Sequence, residues 1–144
     1  MNSRSVYTSF LYYLPSYIFG IIALLSLNYR GTTFFILPTF SFVLIPTLEL
    51  FLPQNNNQKV VKEHLLNRIV IWLIAPFHFY ILINYLIFIS AGFYSIPELI
   101  GSVSTVGILC GVYGINVAHE LGHRKDKFLQ ITAQSLLMTS LYMH

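Results

Sequence analysis

The stretch "SIPELIGSVSTVGILCGVYGINVAHELGHRK", residues 95–125, decides how the chain is read. Between Glu98 and His119 it contains no charged residue. A helix rising about 1.5 Å per residue needs about 20 such residues to cross the roughly 30 Å hydrocarbon core of a bilayer. Ser95, Pro97 and Glu98 have the pattern of a capping box with proline in the first turn, which predicts where that helix begins. Counted from Pro97, His119 falls about 33 Å along the axis, just outside the hydrocarbon, and His123 one turn further. Gly101, Gly107, Gly111 and Gly114, with a G-x-x-x-G at 107–111, predict close approach by neighbouring helices and a central place in a bundle.

Working outward, the whole chain fits that reading. Its 144 residues are 56% hydrophobic and 9% charged, against about 25% charged in a soluble domain, so the expected class is an all-α integral membrane protein. Four predominantly apolar runs are candidate spans: Tyr7 to Asn28, Thr32 to Leu52, Ile69 to Ala91 and Pro97 to Ala118, the first two joined by a tight turn. The first is too long for a cleavable secretory signal and is read as a retained helix. The final stretch from Phe128 to His144 is interrupted by polar residues and is expected to form an interfacial or partly buried helix. With a cytoplasmic N-terminus, Arg4, Lys59, Lys62, Arg68, Arg124, Lys125 and Lys127 lie inside and Arg30 alone outside, as the positive-inside rule demands. That topology puts the histidine pair on the cytoplasmic side, with Glu49 and the 53–68 loop on the same face. The basic residues form no stripe suited to nucleic acid, and the lone Cys110 excludes an internal disulfide.

His119 and His123 carry the chemistry. Residues four apart share a helix face, so two imidazoles there can serve one metal ion or two adjacent ions. Neutral imidazole suits zinc, copper, iron and nickel alike. The letters H-E-x-x-H also satisfy a zinc protease pattern, with Glu120 as the base that activates water, and a third ligand further along would be needed. The bland alternative is two polar residues at a helix C-terminus, where cations are favoured. His78, near the middle of the third span, is expected to be a neutral imidazole hydrogen-bonded to a neighbouring helix, with a share in a substrate channel as the competing role. His64 is expected to be solvated. The aromatic side chains of the second and third spans either line a channel or, for most of them, pack and face lipid.

The segments "NVAHELGHRKDKF", "SLYMH", "IPTLELFLPQNNN" and "APFHFY" together resemble the alkane 1-monooxygenase family of membrane fatty acid desaturase-like enzymes. The resemblance runs from about Phe35 to the end of the chain. It implies a non-haem di-iron centre at the cytoplasmic ends of the helices, for which His119 and His123, in the first of three histidine boxes, supply iron ligands. It further implies hydroxylation of the terminal carbon of an alkane or similar aliphatic chain, using O2 and electrons from a rubredoxin-type donor. A bacterial inner membrane is the expected location. Glu49 stands where the family has aspartate, and Arg124-Lys125 where it more often has two lysines. The second and third boxes are absent. His144 matches a position just ahead of the second box and receives no ligand role. The family's centre uses more histidines than the five in this chain, so the expectation is an N-terminal portion of a longer enzyme, inactive alone. An acyl-lipid desaturase, which shares the metal chemistry, and a membrane zinc metalloprotease are the alternatives.

Overall fold

The structure is a computed structural model that describes residues 14–52, 65–124 and 126–142. The described residues are helical, with no strand among them. The elements are α1 (Leu14–Tyr29), α2 (Gly31–Phe51), α3 (Leu65–Ser90), α4 (Ile96–Gly122) and α5 (Lys127–Thr139). Three segments are long and apolar enough to cross a membrane: Gly31–Phe51, Ile69–Ser90 and Ile96–Gly122, with mean hydropathies of 1.9, 1.9 and 1.5. They coincide with the second, third and fourth expected spans. Of the first expected span, Tyr7–Tyr13 lies outside the described residues, and α1 as described is an apolar helix of 16 residues.

Two of the long helices change their winding. α2 opens with a 3-10 turn at Gly31–Phe35 and passes through a π segment at Phe40–Leu44. α4 is α-helical over Ile96–Leu109, π over Cys110–Val117 and α again over Ala118–Gly122. The helix therefore continues four residues beyond the apolar run that predicted it, because charge ends the run without breaking a helix.

The turns are tightly made. Arg30 alone separates α1 from α2, with φ 57° and ψ −170°, and Gly31 follows at φ 63°. At the start of α4 the expected capping box is formed: Glu98 Oε2 accepts from the Ser95 amide at 2.8 Å and from Ser95 Oγ at 2.9 Å. Its other oxygen accepts from the Gly31 amide at 3.0 Å, which ties this turn to the α1–α2 turn.

α4 is central, with α1, α2, α3 and α5 all packed against it. The core is made by Ala23 of α1, Ile71 and Ile74 of α3, Leu109, Tyr113 and Leu121 of α4, and Leu129, Ala133 and Leu136 of α5. The outward faces stay apolar, with Leu73, Ile83, Leu86 and Val103 more than half exposed, as expected where lipid is the solvent. Two buried hydroxyls bond backbone groups of neighbouring helices, as polar groups must where water is absent. Thr105 Oγ1 donates to the Phe34 carbonyl at 2.7 Å, and Tyr113 OH donates to the Ser16 carbonyl while accepting from the Gly20 amide at 3.1 Å.

The glycines of α4 divide into two kinds. A Cβ on Gly101 would lie 2.7 Å from Phe34 Cβ, and one on Gly114 would lie 3.0 Å from Thr139 Oγ1 and 3.2 Å from the Leu136 carbonyl. These two are contact glycines. Among the described residues nothing lies within 4 Å of a Cβ added to Gly107 or Gly111, the G-x-x-x-G pair, so no described helix packs closely against them.

α5 begins at Asp126, whose Oδ1 accepts from the Phe128 amide at 2.9 Å, and doubles back along α4. At its first turn Phe128 stacks on Trp72 with centroids 4.2 Å apart. Its last turn meets Gly114, which lies eight residues, or about 12 Å, back from the end of α4. It ends in a Schellman motif: the Tyr142 amide donates to the Leu137 carbonyl at 3.1 Å and Leu141 to Met138 at 3.2 Å. Leu141 holds the left-handed position at φ 55°.

Candidate metal centre

His119 and His123 stand on the last turn of α4, joined by the backbone bond from the His123 amide to the His119 carbonyl at 3.3 Å. That bond closes one helical turn between them, so both rings start from the same face. Both residues are exposed. The His119 ring lies edge-on to the Tyr142 ring, centroids 6.1 Å apart at 76°. The left-handed turn at Leu141 is what returns the chain from α5 toward His119.

The charged groups nearby are engaged. Glu120 Oε1 accepts from Arg124 Nη2 at 3.1 Å, and the Arg124 carbonyl accepts from Gln130 Nε2 at 3.0 Å, fastening the loop to α5. Among the described residues no three His, Cys, Asp or Glu side chains gather into a metal-sized cluster. The pair therefore fits a metal as two neutral nitrogen donors on one face, with further ligands needed to complete coordination. Glu49 sits exposed on the last turn of α2, in a run from Pro46 to Phe51 that is exposed throughout. His64, His144, most of the 53–68 loop and Lys125 lie outside the described residues, as do Arg4, Lys59 and Lys62.

An apolar groove lies along α4 before the pair. It has a volume of about 670 Å³ and runs between α2 and α4, walled by Phe19, Phe42 and Ile45 on one side and Gly107, Gly111 and Ile115 on the other. Asn116, three residues before His119, lines it as well. Its walls include parts of both π segments, a winding that occurs often at functional sites. Its width comes from Gly107 and Gly111. Of the aromatics weighed as channel residues, Phe42 lines this groove, whereas Phe34 is buried against Phe88.

His78 is fully buried and bound to α5. Thr139 Oγ1 donates to the Leu136 carbonyl at 2.6 Å and is also 3.0 Å from His78 Nε2. With the Thr139 proton given to the Leu136 carbonyl, it is the Nε2–H tautomer of His78 that can donate to Thr139 Oγ1. Nδ1 is buried with no hydrogen-bond partner among the described residues. The ring packs edge-on to Tyr113, centroids 5.3 Å apart. The expected bond to a neighbouring helix is therefore present, and its partner, Thr139, carried no sequence signal of its own.

No known protein family, curated protein or solved structure matches the chain.

Proposed function

We propose that this chain is the N-terminal portion of an integral-membrane non-haem di-iron monooxygenase that hydroxylates the terminal carbon of alkanes or similar aliphatic chains, with O2 and electrons from a rubredoxin-type donor. The observation that carries the reading is the exposed imidazole pair one helical turn apart, on the helix that walls an apolar groove. His119 and His123 would each give one nitrogen to iron, and the remaining ligands would come from outside the described residues. Bound iron would supply the reductive activation of O2 needed to oxidise an unactivated C–H bond. The chain's own contribution is placement. The groove walls exclude water and align an extended hydrocarbon, Asn116 marks its polar end, and Tyr142 restrains the His119 ring.

In this reading four helices span the bilayer, α1 among them, and α5 packs back into the bundle from the surface. The histidines face the cytoplasm, as the distribution of Lys and Arg favours, and a bacterial inner membrane is the proposed location. An apolar substrate then enters sideways from lipid while the electron donor approaches from water. Acyl-lipid desaturation remains the sister reaction on the same site. Membrane zinc proteolysis is favoured less, because the Glu120 carboxylate that would activate water is occupied by Arg124.

The test is metal analysis of the complete protein. Native protein should load iron and form alcohol in an O2-dependent way, and His119→Ala and His123→Ala should each abolish iron loading. Unchanged iron content in those variants refutes the ligand assignment. A single zinc, with peptide cleavage lost in Glu120→Gln, would establish the protease instead.

A further inference from the structure

At the end of the bundle opposite the histidines, a small cavity of about 240 Å³ opens between α1 and α3. Its polar lining is Arg30, Asn28, Asn84 and Tyr80, and its aliphatic lining is Leu24, Leu27 and Ile87. We propose that this cavity binds the phosphate ester of a phospholipid, with Arg30 as the principal contact. The inference is independent of the metal site.

Backbone conformation is the first ground. With φ 57° and ψ −170°, Arg30 occupies a region that essentially only glycine enters without strain. The one-residue turn between α1 and α2 requires this conformation, and glycine would satisfy it. An arginine is placed there instead, so its side chain must offset the strain.

The second ground is what that side chain does. Its guanidinium carbon lies over the Phe88 ring, 5.1 Å from the centroid, and Nη1 donates to the Phe93 carbonyl at 3.4 Å. Phe88 is itself a wall of the cavity, so the guanidinium is held flat at the mouth. These contacts use one ring face and one of five N–H groups, in a planar fork that matches phosphate oxygens. The nearest carboxylate, Glu98, is committed to Ser95 and the Gly31 amide.

The third ground is the pair of amides. Asn28 Nδ2 donates to the Leu24 carbonyl at 2.9 Å and Asn84 Nδ2 to the Tyr80 carbonyl at 2.8 Å, which fixes both side chains along their helices and leaves each a second N–H. Asn84 lies six residues, or about 9 Å, inside the end of α3, where a polar side chain facing hydrocarbon alone would be costly. A cation and two amides set beside aliphatic walls suit a charged headgroup whose chains lie along the bundle in lipid. A free anion would have no use for those walls.

The experiment titrates the complete, delipidated protein, in a phosphate-free detergent, by native mass spectrometry with dioleoyl phosphatidylglycerol, dioleoylglycerol and inorganic phosphate. Phosphatidylglycerol should occupy one saturable site, with dioleoylglycerol and inorganic phosphate each at least about tenfold weaker. Arg30→Gln should lower phosphatidylglycerol affinity about tenfold, and Arg30→Lys, which keeps the charge without the planar fork, by less. Arg30→Gly should lose the lipid equally while melting at a higher temperature, because the strain is gone. Undiminished binding by Arg30→Gln overturns the proposal, as does dioleoylglycerol binding as tightly as the phospholipid. Inorganic phosphate binding as tightly as the lipid would make this a free-ion site and overturns it too.

Discussion

Replacing Gly114 by alanine tests the packing of α5 directly. The added Cβ would stand 3.0 Å from Thr139 Oγ1, 3.1 Å from Ser140 Oγ and 3.2 Å from the Leu136 carbonyl. The two hydroxyls can turn aside, but the carbonyl is backbone inside α5 and yields only if the helix shifts. Overpacking of this kind costs about 1–3 kcal/mol, and the better helix propensity of alanine returns about 0.8–1.0 kcal/mol, for a net loss near 1 kcal/mol. Gly107→Ala is the control, since nothing lies within 4 Å of its Cβ, and it should gain about 0.8 kcal/mol from propensity alone. The two alanine variants should thus differ by about 2 kcal/mol in opposite directions. Trp72 is the sole tryptophan and stacks on Phe128 at the start of α5, so its emission and its quenching by acrylamide report whether α5 is seated. Unfolding by dodecyl sulfate in mixed micelles gives the stability difference from the same signal. If Gly114→Ala proves as stable as Gly107→Ala, with Trp72 equally shielded, α5 does not pack on α4 as described.

His78→Leu removes one hydrogen bond worth about 1 kcal/mol but also a buried nitrogen without a partner, which costs about 1–3 kcal/mol. Thermal or dodecyl sulfate unfolding should find it neutral to stabilised by about 2 kcal/mol, and a loss above about 2 kcal/mol would mean that Nδ1 has a stabilising partner. Leu141→Gly should stabilise by about 1 kcal/mol, because Leu141 is 92% exposed and holds a left-handed position that glycine adopts freely. A destabilised Leu141→Gly variant in the same assay would show that the leucine side chain contributes more than its backbone costs.

The sequence revealed the frame well where one physical signal dominated. Apolar run length located α2, the spanning part of α3 and α4, since water and lipid sort side chains without reference to their neighbours. Ser95, Pro97 and Glu98 located the start of α4 because a cap is a local chemical requirement. The pairing of His119 with His123 followed from helix period alone. What could not be read depended on which surfaces meet. Four glycines of α4 look alike in one dimension, yet Gly101 and Gly114 take neighbours while Gly107 and Gly111 line a groove. The return of α5 rests on Asp126, Gly114 and Thr139 acting together, and the scattered polar residues of α5 concealed it. The link from Glu98 to Gly31 also escaped, because it joins two turns 67 residues apart.

The π segment of α4 has a consequence for how the histidines are aimed. Winding with i→i+5 bonds accommodates extra chain within a given rise, so everything beyond Val117 emerges rotated relative to a uniform α-helix. Excising one residue between Cys110 and Val117 would let the rod rewind as an α-helix and leave the imidazoles near their present bearing, whereas excising one from the α-helical stretch before Cys110 would swing them by about 100°, the angular step of one residue. Their bearing around the axis is thus set upstream, by the local pitch of a glycine-bearing stretch, and rewinding that stretch at unchanged length would re-aim both donors at once while leaving their mutual spacing intact.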